Sequence, residues 1–405
     1  YGIEPDENMK KLTVYHVLTM TNGMARHPIM DADWLKNYLA EPVVAEPGTE
    51  FLYNSSGSCL LGAIVKKKTG KGMREFLKEF LFDKIGIDGE RFQIFRFPDG
   101  YDAEPGTASV TEDNLRLAIL FMNYGNWNGE QIIAEDWMHM AMSCQISTEP
   151  NGGTEDYRHG YGFQLWNSAI PGVYRFDGGQ GQYGLIWPER KIAVAIHEGA
   201  VIPEGPQITL DVLYEYLLNE MRNEPLPEDP QADAALLEFE RNLKVPEQEA
   251  NTLYVPTECF SGSYAVVSGD GDPWISVAPG GYNFFTCFYH ADKKQAFTDF
   301  TLKMDEQKCV FTVDGYAVCE AYLDGKHHPV YTDNVLPEIG WNCSYARYLD
   351  EDTLQITTKW LNGWFDDRIV MKKKGDILEM TFYKDRLTVS DNRYTIKHCT
   401  AKRQQ

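Results

Sequence analysis

Two hydropathy periods divide this chain. Up to about residue 222, apolar positions recur at helical spacing, interrupted by glycine-rich turns and short apolar runs. Leu60, Leu61, Ile64 and Val65 share one face and predict a helix ended by Gly70. Met73, Phe76, Leu77, Phe80 and Leu81 predict a second. A third starts at Thr111 as N-cap, with Glu112 and Asp113 at the positive end of the helix dipole. It turns Leu115, Ile119 and Met122 inward and stops at Gly125. Tyr183 to Trp187 and Ile192 to Ile196, around Pro188-Glu189-Arg190, predict a strand hairpin. A last helix is predicted over about 209–221.

After residue 251 the period becomes two. Cys309 to Val313, Asp314-Gly315 and Tyr316 to Val318 predict a hairpin with its turn. Leu354 to Trp360, Ile369 to Met371 and Leu378 to Phe382 alternate in the same way. Many short strands between turn signals predict an all-β sandwich or barrel. Between the two patterns lies Glu224-Pro225-Leu226-Pro227-Glu228-Asp229-Pro230, then a short acidic helical piece from about Ala232 to Leu243. Such proline and charge density marks a linker. The expected organisation is α+β: residues 1–222, a Pro-rich acidic linker over 223–250, and an accessory β domain over 251–405.

The net charge is −22. Such a surface repels phosphates and anionic headgroups, so no nucleic-acid partner is expected. No apolar run reaches the ~18 residues of a membrane span. The chain opens Tyr1-Gly2-Ile3 without an initiator methionine, so an upstream continuation is expected and localisation is not legible. None of the cysteines Cys59, Cys144, Cys259, Cys287, Cys309, Cys319, Cys343 and Cys399 forms a Cys-x-x-Cys pair. Buried thiols are the expectation rather than zinc or thioredoxin-like chemistry.

The chemistry-bearing candidate is Pro47-Gly48-Thr49-Glu50-Phe51-Leu52-Tyr53-Asn54-Ser55-Ser56-Gly57. A turn and a short extended piece deliver a tyrosine and small polar residues to the mouth of a helix. The stretch resembles the Tyr-x-Asn motif of serine β-lactamases and penicillin-binding-protein-like hydrolases. The order of Lys11 to Gly23, Gly106 to Asp113, Trp127 to Ile133 and Gly160 to Trp166 is similar to that family through about residue 200. No Ser-x-x-Lys is present in the chain, and the resemblance puts it upstream of Tyr1. The implied fold is an antiparallel sheet flanked by helices, N-terminally incomplete.

In that family the tyrosine relays protons, a role that falls to Tyr53. A neighbouring lysine would lower its pKa. Asn54 and Ser55 are interchanged relative to the usual Tyr-Ser-Asn, and both are candidate substrate-binding residues. His16 is expected to be a packed helix residue. Lys68-Thr69-Gly70 spells the family's third motif but closes a helix, so it is rejected. The better third-motif candidate is Tyr174-Arg175-Phe176-Asp177-Gly178-Gly179-Gln180-Gly181-Gln182-Tyr183. Its glycines admit a substrate, and strand amides there can donate to an oxyanion. Asp177, Gly178 and Gly179 join the substrate-binding set. Asp177 replaces a cation and argues against an anionic substrate group at that point.

The implied activity is hydrolysis of a small-molecule amide, ester or peptide through an acyl-serine, without metal or organic cofactor. The alternative is a non-catalytic penicillin-binding-protein-like peptide- or wall-binding protein. His327-His328 is expected to be an exposed loop pair, and Gly269-Asp270-Gly271-Asp272 a solvated turn. Gly-x-Ser-x-Gly, P-loop and dinucleotide fingerprints are absent.

Overall fold

The structure, a computed structural model, describes residues 2–28, 33–97, 99–151, 153–200, 205–269, 297–313, 316–332, 341–361, 363, 366–385 and 394–404. Asp270 to Asp272, the Asp314-Gly315 turn and Cys287 lie outside these residues. The described residues form two compact units, one up to Gln207 and one from Ile208 on.

The first unit opens with α1 (Val14–Leu18), α2 (Trp34–Ala40) and α3 (Ser55–Thr69). The helix α4 (Met73–Leu77) runs through a π-helical turn, Lys78–Phe82, into α5 (Asp83–Ile85). A hairpin of β1 (Gln93–Arg96) and β2 (Asp102–Ala108) precedes α6 (Thr111–Met122). The short pair β3 (Asn126–Trp127) and β4 (Glu130–Gln131) leads to α7 (Glu135–Met142). An antiparallel sheet follows in the order β5 (Trp166–Asn167), β6 (Tyr174–Gly178), β7 (Gln182–Trp187), β8 (Ile192–His197). Helix α8 (Gly205–Leu213) carries the boundary between the units. Ala118 of α6, Met138, Ala141 and Met142 of α7, and Ile186 of β7 meet in one buried cluster.

Three helix expectations change in detail. The buried stripe of α3 is Ser56, Gly57, Cys59, Gly62 and Ala63, not the leucine face. Small residues let neighbours approach this helix closely, so Leu60, Leu61, Ile64 and Val65 are only partly covered. In the second helix the π turn shifts the helical phase, which buries Phe82 and Ile85 and leaves Phe80 49% exposed. In α6 the N-cap is Val110, with Thr111 the first helical residue. Its buried residues are Asp113, Ala118 and Leu120, and Asp113 accepts from Arg91 Nη2 at 2.9 Å. Gly70, at φ +75°, closes α3 as expected, which accounts for Lys68-Thr69-Gly70 structurally.

The second unit contains α9 (Pro230–Asn242), capped by Asp229 and exposed along its length. Its strands are β9 (Gly262–Gly269), β10 (Asp299–Met304), β11 (Lys308–Val313), β12 (Tyr316–Tyr322) and β13 (Pro329–Tyr331). Then follow β14 (Trp341–Asp350), β15 (Thr353–Trp360), β16 (Asp366–Lys374), β17 (Ile377–Asp385) and β18 (Tyr394–Arg403). Nine of them form a ring, β12-β11-β10-β9-β18-β17-β16-β15-β14. It closes where β12 runs parallel to β14 at Ala321↔Ser344 and Tyr322↔Tyr345. The β domain is therefore a closed barrel rather than a sandwich, with β13 added to β14. The period-two pattern fills it: Leu354, Ile356, Met371, Leu378, Met380 and Ala401 are all buried in its core. His327 and His328 are half-buried, not exposed. His327 bonds the Tyr345 hydroxyl at 2.6 Å, and His328 bonds Asp324. Among the described residues no helix is long and apolar enough to cross a membrane.

Candidate active site

The approach to Tyr53 is pinned on both sides of the turn. Gly48, at φ +92°, donates its N–H to Thr21 O, and Leu52 donates to Met20 O. Phe51 is buried in a cluster with Met20, Tyr161 and Trp166. Tyr53 itself is 43% exposed. Its ring stacks on Trp166, with centroids 5.9 Å apart and planes at 13°, and stands edge-on to Tyr161. Although the ring keeps an open face, burial by its dense surroundings pushes the hydroxyl pKa up to about 12. The Asp177 carboxylate adds to that rise.

Asn54 faces the scaffold. Asn54 is 1% exposed, and its side-chain oxygen accepts from Gly57 N at 3.1 Å, capping α3. Its amide is committed to the fold rather than turned to a ligand. Ser55 N–H donates to His27 Nε2 at 2.9 Å, and His27 Nδ1 contacts Pro28 O at 2.8 Å. Further along α3, Ser58 Oγ donates to Gln164 Oε1 at 2.6 Å. His16 accepts the Thr13 N–H on its Nδ1, closing a capping box at the start of α1.

Asp177 belongs to a buried charged group that the sequence reading missed. Arg175 is fully buried, and its Nε donates to Asp177 Oδ2 at 2.9 Å. Its Nη2 donates to Asp156 O at 3.0 Å and its Nη1 to Ser168 Oγ at 3.1 Å, with Asp156 Oδ1 3.5 Å away. Its guanidinium lies 4.9 Å from the Tyr157 ring centroid and 5.9 Å from that of Trp166. Asp156 is held in turn by Gln207 Nε2 at 2.8 Å and by Ala169 N–H. The Asp177 side chain is only 6% exposed. Burial pushes its carboxyl above the ordinary 3.8, against the downward pull of Arg175 and of the Tyr157 hydrogen bond. A cation thus stands two residues before Asp177, but it is fully buried.

A signal for this pair was available. Residues two apart in a strand share a face, so Arg175 and Asp177 point one way and Tyr174 and Phe176 the other. Phe176 lies across Gly184, where a side-chain carbon would fall 2.0 Å from the ring, so only glycine fits there. No comparable signal marks Asp156 or Tyr157, which reach the group from a 3-10 turn, Glu155–Tyr157, while Trp166 reaches it from β5.

The tip of the β6–β7 hairpin stands beside this group. Gly178 pairs with Gln182, and a side chain on it would press against Gln182. Gly179 has open space around it, whereas Gly181, at φ +93°, lies under the Glu198 carboxylate. The neighbouring β5 pairs with β6 only at Arg175 and Tyr174. Beyond Arg175 that edge of β6 has no strand partner among the described residues. Tyr53 thus lies within electrostatic reach of Asp177, the residue that precedes Gly178 on β6.

A family model described as "Beta-lactamase" matches residues 4–198. Residues 4–198 belong to the beta-lactamase family. The chain is similar to monacolin J acid methylbutanoyltransferase of Aspergillus terreus, 27% identical over 108 residues. That match covers 23% of this chain and 26% of the relative, so the chain spans about a quarter of the relative's length. Among solved structures, the octameric penicillin-binding protein homologue from Pyrococcus abyssi is similar at 16% identity and a TM-score of 0.41. The match covers 95% of this chain and 78% of that one. A penicillin-binding protein homologue from Caulobacter crescentus is similar at 16% identity and a TM-score of 0.34, covering 45% and 64%.

Proposed function

We propose that the first unit carries the substrate cleft of a serine acyl hydrolase or acyltransferase. The nucleophilic Ser-x-x-Lys is supplied from sequence upstream of Tyr1. The observation that supports this reading is a half-exposed Tyr53 whose hydroxyl feels the Asp177 carboxylate, the residue just before Gly178 at the end of β6. These are the second and third stations of acyl-transfer chemistry in this family.

The serine oxygen attacks the carbonyl carbon of an amide or ester while the lysine accepts its proton. Amides on the unpaired edge of β6 near Gly178 and Gly179 receive the oxyanion. With a pKa of about 12, Tyr53 enters the reaction protonated. It donates to the departing nitrogen or oxygen and is reprotonated through the lysine. The acyl-serine ester is then hydrolysed by water or passed to another acceptor. No metal or organic cofactor enters these steps. The raised pKa of Tyr53 also favours the competing reading, a peptide- or wall-binding protein in which the phenol only donates a hydrogen bond.

Expression of this chain with its upstream coding sequence separates the two. Ester turnover, serine labelling by a fluorophosphonate, and a loss of about 100-fold or more in kcat on Tyr53→Phe are expected. An upstream segment without Ser-x-x-Lys, or an unaffected Tyr53→Phe variant, overturns the acyl-transfer reading.

A further inference from the structure

One ring lies flat against Tyr53. Trp166 is nearly parallel to it, with centroids 5.9 Å apart and planes at 13°. Trp166 is itself flanked edge-on by Phe51 at 5.5 Å, Tyr157 at 4.8 Å and Tyr161 at 4.8 Å. The Arg175 guanidinium lies 5.9 Å from its centroid, and Arg175 is its cross-strand partner on β6. The chain enters β5 through Gln164, at φ +58°, in the left-handed region that non-glycine residues seldom occupy. Such strain persists only where the surroundings over-determine it. Gln164 donates its N–H to Leu18 O at 3.1 Å and its Nε2 to the same oxygen at 3.0 Å. Its Oε1 accepts from Ser58 Oγ at 2.6 Å. Ser58 stands in the first turn of α3, and the N-cap of α3, Asn54, directly follows Tyr53. Both partners of the stack are therefore fastened to the start of one helix.

Resting on the acyl-transfer reading of this cleft, we infer that Trp166 is a positioning residue for Tyr53, and that the strained corner at Gln164 holds Trp166 in place. A phenol that hands a proton to a departing atom needs its oxygen set to within about 0.5 Å. A ring with one open face otherwise exchanges between rotamers. The parallel stack fixes the plane of the Tyr53 ring and so the direction of its hydroxyl. The edge-on rings around Trp166 keep that plane from tilting. Trp166 acts through Tyr53 rather than on the substrate, since it is 8% exposed against 43% for Tyr53.

The first test needs no turnover. Fluorotyrosine is incorporated into the chain, and the Tyr53 fluorine resonance is identified by its absence from Tyr53→Phe. Stacked on an indole, it is expected to be displaced by the ring current of Trp166. Trp166→Leu should return it toward the position of an exposed tyrosine, and Trp166→Phe should keep part of the displacement. Gln164→Gly accepts the left-handed backbone and removes only the side-chain clamp, so it is read beside Trp166→Leu and decides if that variant does not fold. It should broaden the Tyr53 resonance or reduce its displacement. A resonance indifferent to these changes overturns the inference. The second test scores ester turnover on the upstream-extended chain. Trp166→Leu is expected to lower kcat about tenfold or more with KM little changed, and Trp166→Phe to restore most of it. In a Tyr53→Phe background Trp166→Leu should cost nothing further. A loss that falls on KM, or that persists undiminished in that background, overturns the positioning role. A displaced Tyr53 resonance in an extended chain without turnover keeps the hold of Trp166 on Tyr53 and sinks acyl transfer. Turnover with a Tyr53 resonance indifferent to Trp166 does the reverse.

Discussion

Each unit buries a polar network, and the two are built on opposite principles. In the first unit Arg175, Asp156 and Asp177 bury charge beside aromatic rings, next to an open-faced tyrosine. In the barrel, Thr332, Asn342, Ser344 and Thr358 form a neutral chain. Ser344 and Thr358 are direct cross-strand partners of β14 and β15, so their 2.9 Å hydroxyl contact follows the register. The neutral chain reports how strands are matched. The charged group instead ties β6 to loops distant in sequence and sets the electrostatics around Tyr53. A site needs the second kind of network, because a fixed field at one place is what a reacting group feels.

Removing one member should therefore cost more in the first network than in the second. Arg175→Met leaves two carboxylates buried without their cation, and a loss of about 3–5 kcal/mol of stability is expected. Denaturant unfolding measures it. Adding Asp177→Asn to that variant should recover part of the loss, because one of the stranded charges is then gone. Strict additivity of the two substitutions would show that Arg175 and Asp177 are not energetically joined, and the contrast between the networks would fail.

Thr358→Val is the matching change in the barrel. The Ser344 hydroxyl still has Asn342 Oδ1 at 2.9 Å, so no group loses its last partner. A cost of about 1 kcal/mol is expected, read by the same unfolding measurement. A loss as large as that of Arg175→Met would mean that the neutral chain is as indispensable as the charged one.

The same contrast explains what the sequence revealed. Strand alternation is a local signal, so the residues filling the barrel, such as Leu354 and Leu378, were legible from their own neighbours. Closure was not. It rests on a parallel contact between β12 and β14, and nothing in either strand announces a partner. Tyr53 was legible because its motif is contiguous. Arg175 was passed over because a buried arginine looks like an ordinary strand residue until Asp156 arrives from a 3-10 turn 19 positions away. The leucine face of α3 misled for a related reason. Hydropathy ranks side chains by size and apolarity, whereas this helix buries the small residues that let its neighbours come close. The π turn after α4 misled because one inserted residue shifts every later position around the helix.

The smallest expected effect, and the most diagnostic, is the opposite acid response of two aspartates. Asp177 in the first unit is pushed above 3.8 by burial. Asp305 in the barrel is pulled below 3.8, chiefly by the backbone N–H groups of Gln307 and Lys308. For Asp177 the folded state holds its proton more tightly than the unfolded chain. Its ionised form therefore costs stability at neutral pH, and that cost is relieved as pH falls through the raised folded value toward 3.8. For Asp305 the sign reverses: its contribution is present above 3.8 and is lost as pH falls through the lowered folded value. Carboxyl-carbon NMR titration of the folded protein should place the midpoint of Asp177 above 3.8 and that of Asp305 below it. An Asp177 midpoint below 3.8 would mean that Arg175 outweighs burial. The cluster would then be a satisfied ion pair rather than a group under electrostatic tension.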